Sequence, residues 1–314
     1  MRHFCEKRFY FKWLSRRKQG WRKPLDHPWH QVHVLGQVKH ANMWAGDLYH
    51  QIIAQALTTI RSGHGFDEEA TRRMAHGLAE AQFDFSARKE FVVAVKSRAP
   101  TCQGLSTYLA LFEHAYDLPT DGILADVQQK LDAWLSNTAA WQGWARLVDS
   151  VRRAPNVYIE PQYLKYVIGG ARVTARMDVG IELRSGDFAL YDWKCYRDDA
   201  RFAEYDQAAF KHQLLAYALW PVVRQDEPLA IDRVTARVFN PASGEEQVVH
   251  FTDDDHADFE LKVASWARMQ ELLFPDVGQV EVDDLDGPYD PQRSCPWCPF
   301  KGVCGQELSW HTLT

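Results

Sequence analysis

A mixed α/β core with an all-α insert towards its N-terminal side is the fold class this sequence predicts. Three features carry that prediction. From about Asp67 to Val151 apolar residues recur at helical spacing, broken at Ala99-Pro100-Thr101 and again near Leu118-Pro119. After Pro155 the texture changes to alternation. Val157 to Val167 and Ala171 to Leu183 read as strands joined by the Gly169-Gly170 turn, and Phe188 to Cys195 reads as a third strand beyond Arg184-Ser185-Gly186-Asp187. Then come a helix from about Asp206 to Trp220, strands Ile231 to Phe239 and Glu246 to Phe251, and a long helix from about Asp254 to Leu273. Ahead of the insert, Trp44 to Leu57 has the apolar spacing of a helix, and the tail Pro288 to Thr314 is irregular and holds three cysteines.

Composition narrows the function classes. The chain has 314 residues, 46% hydrophobic and 25% charged, which excludes disordered, collagen-like and fibrous readings. No stretch approaches the ~18 consecutive apolar residues of a membrane helix, and the start Met1-Arg2-His3-Phe4-Cys5-Glu6-Lys7-Arg8 lacks the apolar run of a secretory signal. A cytoplasmic protein without a membrane partner is expected. Net charge is −6, so overall balance does not point to nucleic acid. Its distribution does: Arg2, Lys7, Arg8, Lys12, Arg16, Arg17, Lys18, Arg22 and Lys23 interleave with Phe4, Phe9, Tyr10, Phe11, Trp13 and Trp21. Cations neutralise phosphates and aromatic faces stack on bases, a mixture suited to single strands. An amphipathic helix with aromatics on the core and solvated charges fits the same residues.

Chemistry concentrates on Arg176-Met177-Asp178 and Tyr191-Asp192-Trp193-Lys194. Strand side chains alternate, so Asp192 and Lys194 share a side, while Asp178 lies in the polar row Thr174, Arg176, Asp178. Paired strands then bring two carboxylates and an ammonium together. Two close carboxylates repel, and Mg²⁺ is a natural cation to hold them. A salt-bridged strand pair is the alternative. His50 shares a helix face with Ile53 and Leu57, a spacing that by itself fits a core histidine. Gln213 and Tyr217 stand one helical turn apart, able to reach one partner or to cap the core.

Asp178 followed by Asp192-x-Lys194 resembles the catalytic signature of the PD-(D/E)XK nuclease superfamily, with Met177 in place of the usual proline. Gln213-Leu214-Leu215-Ala216-Tyr217 resembles the Q-x-x-x-Y motif of its RecB-like branch, and Gly46-Asp47-Leu48-Tyr49-His50 its G-x-x-x-H. Cys5 to Phe11 and Cys295-Pro296-Trp297-Cys298 to Cys304 are similar to the iron–sulfur subgroup that includes the AddB nuclease domain and CRISPR adaptation nucleases. The motifs stand in the family's order over nearly the whole chain; residues 67–151 have no counterpart matched residue by residue.

The resemblance implies a restriction-endonuclease-like mixed sheet flanked by helices. Its segments would be residues 1–60 with the first cluster ligand and first motif, the helical insert 61–152, the nuclease core 153–280 and the cysteine segment 281–314. It implies that His50, Asp178, Asp192 and the Trp193 carbonyl hold Mg²⁺ or Mn²⁺. Lys194 would orient or help deprotonate the attacking water, or stabilise phosphoryl charge, and Gln213 and Tyr217 would contact the DNA strand or support the active-site strands. Glu160 is an accessory carboxylate in some similar enzymes and a surface acid otherwise. The implied activity is DNA hydrolysis, an exonuclease on single-stranded or end-containing DNA in repair, recombination or defence, with helicase or CRISPR adaptation partners as separate chains. The alternative is a catalytically silent iron–sulfur DNA-binding module of the same fold.

Six cysteines in a cytosolic chain favour metal over disulfides. Cys295, Cys298 and Cys304 form C-x₂-C-x₅-C, and the resemblance supplies Cys5 as fourth ligand of a 4Fe–4S cluster stapling the terminus. A tetrahedral zinc site, as in a zinc-stabilised interaction protein, uses the same residues, and simple buried thiols remain a third reading. Cys102 and Cys195 read as ordinary buried thiols, Cys195 on the face opposite Lys194.

Overall fold

The structure, a computed structural model, describes residues 8, 11–12, 22–94, 99–160, 164–195, 207–224, 229–273, 295–301 and 303–304. Cys5 and much of the basic, aromatic N-terminal segment lie outside these. In chain order the helices are α1 (Pro28–Leu35), α2 (Ala41–Arg61), α3 (Glu68–Ala87), α4 (Phe112–Ala115), α5 (Ile123–Ala140), α6 (Gln142–Arg153), α7 (Gln207–Arg224) and α8 (Asp253–Leu273). The strands are β1 (Thr101–Cys102), β2 (Leu105–Ser106), β3 (Asn156–Ile159), β4 (Leu164–Ile168), β5 (Ala171–Ala175), β6 (Val179–Glu182), β7 (Phe188–Trp193), β8 (Val234–Asn240) and β9 (Glu245–His250). The chain divides into two compact units, one of Met1–Ala45, His76–Val127 and Phe274–Thr314, the other of Gly46–Ala75 and Gln128–Leu273. No helix among the described residues is long and apolar enough to cross a membrane.

Local chemistry explains the helix starts. Asp67 Oδ1 accepts the Ala70 amide at 2.9 Å, and Glu68 and Glu69 follow in the first turn of α3, where acids complement the helix dipole. At α8 the Thr252 amide donates to Asp255 Oδ2 at 2.9 Å while the Asp255 amide donates to Thr252 Oγ1 at 3.3 Å, a reciprocal cap. The helix expected to end at Trp220 continues through Pro221 to Arg224. The expected all-helical stretch holds one short ribbon, β1–β2, just after the Ala99-Pro100 break.

The larger sheet has the order β3-β6-β7-β8-β9. β7 and β8 are parallel, with α7 in the crossover between them, and the other neighbours are antiparallel. Each of the two long strands expected at Val157–Val167 and Ala171–Leu183 proves to be a pair. β4 and β5 form a separate antiparallel ribbon, whereas β3 and β6 belong to the main sheet. The breaks fall at Glu160, whose φ is 36°, and at Arg176-Met177-Asp178. Alternation conceals them, because Ala175, Met177, Val179 and Ile181 are all buried on either side of the bend.

One face of the sheet packs on α7, α8 and the ribbon through Phe188, Leu190, Leu214, Ala218, Val238 and Phe259, among others. Gly180 in β6 is required by this packing. A Cβ there would stand 2.5 Å from Met177 Sδ and 2.8 Å from Phe188 Cζ, both fully buried side chains. Gly180→Ala is expected to cost about 1–3 kcal/mol through overpacking, read as a lower urea midpoint; an unchanged midpoint would contradict this packing.

In the other unit, Phe11, Phe85, Phe91, Phe112 and Phe300 form a core on which Cys298 and Cys304 pack. The cysteine loop is tied to it by Tyr116 Oη donating to the Pro299 carbonyl at 2.7 Å and by the Lys301 ammonium over the Tyr116 ring. No two of the five described cysteines form a disulfide.

Candidate active site

The site is built at the bend that separates β5 from β6. Antiparallel register pairs Val179 with Tyr191, so one step further Asp178 stands opposite Asp192. Along β7, Phe188, Leu190 and Asp192 share one face and Ala189, Tyr191 and Trp193 the other. Phe188 and Leu190 pack on Leu214, Leu215 and Ala218 of α7, so Asp192 enters the same desolvated layer and is 2% exposed. Two residues on, Lys194 brings its Nζ to 2.7 Å from Asp192 Oδ2. That approach is a buried ion pair, the carboxylate 3% and the lysine side chain 13% exposed.

Asp178 is held from two sides. Its Oδ2 accepts the Trp193 amide at 2.7 Å, and its Oδ1 lies 3.0 Å from His50 Nδ1. His50 projects from α2, whose neighbouring Ile53 and Leu57 are fully buried and whose Tyr49 hydroxyl bonds Thr138 Oγ1 of α5 at 2.6 Å. Helix packing therefore fixes where the imidazole arrives. Gln213 Nε2 donates to Tyr217 Oη at 2.7 Å on α7, with Gln213 exposed and Tyr217 buried.

Burial acts on every ionisable group here, with different outcomes. Asp178 is pushed up by burial but pulled further down by His50, then Lys194 and the Trp193 amide, and ends below the usual carboxylate range. In Asp192 burial prevails over the Lys194 ammonium, and the nearby Asp178 charge adds to it, so its carboxyl is pushed up to about 6. Burial lowers His50, yet the Asp178 carboxylate outweighs it and raises the imidazole well above its ordinary value. Lys194 likewise is raised by Asp192 against the effect of burial.

This donor set suits a hard divalent ion. His50, Glu160 and Asp178 each bring one ligand atom, all within 4.8 Å of one another. Octahedral ligands about 2.1 Å from an ion stand roughly 3.0–4.2 Å apart. Glu160 reaches the group from the strained end of β3, its amide donating to the Asp178 carbonyl at 2.7 Å, and it forms an ion pair with Arg176.

Of the residues expected from sequence, His50 and the Trp193 amide contact Asp178, Lys194 contacts Asp192, and Gln213 and Tyr217 pair on α7; Asp192, opposite Asp178 on the next strand, stands outside the group of ligand atoms formed by His50, Glu160 and Asp178. Glu160, expected only as an accessory acid, joins the ligand group. Cys195 differs from expectation: its thiol hydrogen-bonds His50 rather than lying apart from the site. β7 ends at Trp193, so alternation no longer governs residue 195, and no sequence signal marks its contact. A Cβ on Gly46 would meet Cys195 Cβ at 3.8 Å, an ordinary contact, so spacing rather than close approach is what the G-x-x-x-H motif provides here.

No curated protein matches the chain. A solved structure of SSO0001 aligns over 62% of this chain and 78% of that one at 15% identity, with a TM-score of 0.30, too loose to carry an argument. A family model of the PD-(D/E)XK nuclease superfamily, by contrast, matches residues 5–305. With that match spanning the two acids, the lysine and the histidine just described, the chain belongs to the PD-(D/E)XK nuclease superfamily.

Proposed function

We propose that this protein is a Mg²⁺- or Mn²⁺-dependent deoxyribonuclease of RecB-like type, an exonuclease acting on single-stranded or end-containing DNA. The observation that carries the reading is Asp178 opposite Asp192 across β6 and β7, with His50 at 3.0 Å from the first and Lys194 at 2.7 Å from the second. His50, Asp178, Asp192 and the Trp193 carbonyl, with Glu160, would hold the ion. When bound, a divalent ion polarises the scissile phosphate and lowers the pKa of a coordinated water. Lys194, steadied by Asp192, orients the attacking water and stabilises negative charge on the phosphoryl oxygens. The Trp193 amide and His50 hold the Asp178 carboxylate from two directions. Tyr217, anchored by Gln213, closes the α7 side and limits water there.

The cysteines fit a structural 4Fe–4S cluster on Cys5, Cys295, Cys298 and Cys304. Support comes from Cys295, Cys298 and Cys304 lying half-buried and outside disulfides on one tight loop, where the Cys298 and Cys304 amides donate to the carbonyls of Cys295 and Phe300. Joining the first residues to the last closes a loop of nearly the whole chain, the case in which a cross-link stabilises most. Cys5→Ala is expected to lose iron and visible absorbance and to melt earlier; full iron content with unchanged melting would contradict the ligand set. A helicase or a CRISPR adaptation or defence complex in the cytoplasm is the setting this reading favours.

Digestion of end-labelled and circular DNA, single- and double-stranded, tests the function. With Mg²⁺ or Mn²⁺ the linear single strand should be degraded and the circle spared, and chelator should stop the reaction. No cleavage of any form with either metal would overturn the reading in favour of a silent DNA-binding module.

A further inference from the structure

A cavity of about 420 Å³ lies beside the ribbon, between β5, α7 and α8, lined among others by Arg172, Val173, His212, Gln213, Phe259 and Trp266. Its size is within the roughly 300–1,000 Å³ of small-ligand sites. Three aromatic rings border it: the His212 ring centroid is 6.3 Å from Phe259 and 6.4 Å from Trp266. Phe259 is buried, but Trp266 is 48% exposed, an indole left open on the surface of α8. Arg172 stands at the cavity's ribbon side, exposed and without a carboxylate in ion-pair distance among the described residues. By contrast Lys262 is occupied, donating to His212 Nε2 at 2.9 Å and to Asp258 Oδ2 at 2.6 Å.

The cavity also adjoins the catalytic bend. Gln213 lines it and donates to Tyr217 Oη one helical turn away. Burial, and next the Asp192 carboxylate, push the Tyr217 phenol up to about 12, so its hydroxyl lies within the field of the reacting centre. A strand whose phosphate reaches Asp178 and Asp192 thus has neighbouring nucleotides within reach of this groove.

We propose that the groove receives one unpaired nucleobase of the substrate strand, stacked on Trp266, with Arg172 holding the adjoining phosphate. An open indole suits any base face, and an exposed guanidinium suits the backbone that carries it. Bases in a duplex are stacked within the helix and cannot enter, so the groove selects single-stranded segments. This rests on the nuclease reading for its ligand.

The test is made on the full chain in chelator, where binding is measured without cleavage, using a labelled oligothymidylate and a duplex of equal length. Trp266→Ala should weaken single-strand binding about tenfold, or about 1.4 kcal/mol, and leave duplex binding unchanged, whereas Trp266→Phe retains most of the affinity. Arg172→Gln should lower the slope of log affinity against log salt by about 0.7 on the single strand. An abasic substitution scanned along the oligonucleotide should weaken wild-type binding at one position, and that effect should vanish in Trp266→Ala. Both side chains are exposed, and melting curves verify that the variants fold. Equal single-strand affinity in Trp266→Ala, or equal losses on single strand and duplex, would overturn the proposal. Failure of the wild type to cleave DNA with metal would instead overturn the nuclease reading, because the comparison in chelator does not depend on turnover.

Discussion

Lys194→Ala is expected to lower the rate of DNA cleavage by at least about a hundredfold, the scale of losing a positioned proton donor or a charge aimed at developing negative charge. The lysine contacts Asp192 at 2.7 Å from a position only 13% exposed, so few other groups can replace its charge there. DNA affinity should persist, since one buried ammonium contributes little to the long-range phosphate attraction that sets the salt dependence. Stability should fall as well. Removing one member of a buried ion pair leaves its partner uncompensated, which typically costs about 3–5 kcal/mol. Single-turnover rates at saturating DNA, with melting followed in parallel, separate the two effects. A folded Lys194→Ala chain that cleaves at the wild-type rate would remove Lys194 from the mechanism.

Trp141→Ala should lower stability by about 3–5 kcal/mol, as for other buried indoles. Trp141 is 7% exposed and packs on the face of the sheet opposite Asp192. Its ring stacks on Phe239 at 4.4 Å and 18°, and meets the rings of Trp193 and Tyr191 edge-on at 6.1 and 6.4 Å. Its Nε1–H donates to Glu246 Oε2 at 3.1 Å. The indole folds back over Gly143, where a Cβ would come within 2.2 Å of the ring. Because Trp193 carries the amide that holds Asp178, loosening this aromatic layer should also slow cleavage in the folded variant. Urea unfolding gives the stability, and Trp141→Phe should recover part of it. A midpoint equal to wild type would show that the aromatic layer does not hold β7.

Much of this arrangement could be read from the sequence, and particular residues show why the rest could not. Asp192 and Lys194 obey strand alternation, so their common side follows from spacing alone. The turn at Ser185-Gly186 sets the register, Gly186 having a φ of 83°, and that register places Asp178 opposite Asp192. Two breaks escaped the pattern. At Glu160 and at Met177-Asp178 the chain bends while the apolar period continues, so each apparent long strand is divided between the main sheet and a ribbon. The bend is also what brings Glu160 into the ligand group, which no alternation rule foretells. Cys195 lies beyond the last residue of β7, where a sequence no longer dictates which way a side chain turns.

The proposed chemistry depends on His50, Asp178 and Asp192 sharing one divalent ion. Titration of the full chain with Mn²⁺, followed by electron paramagnetic resonance, measures that directly. The wild type should bind Mn²⁺ at this site, and Asp178→Ala and Asp192→Ala should each lose that binding together with DNA cleavage. Mn²⁺ binding that is the same in both variants as in the wild type would contradict the account.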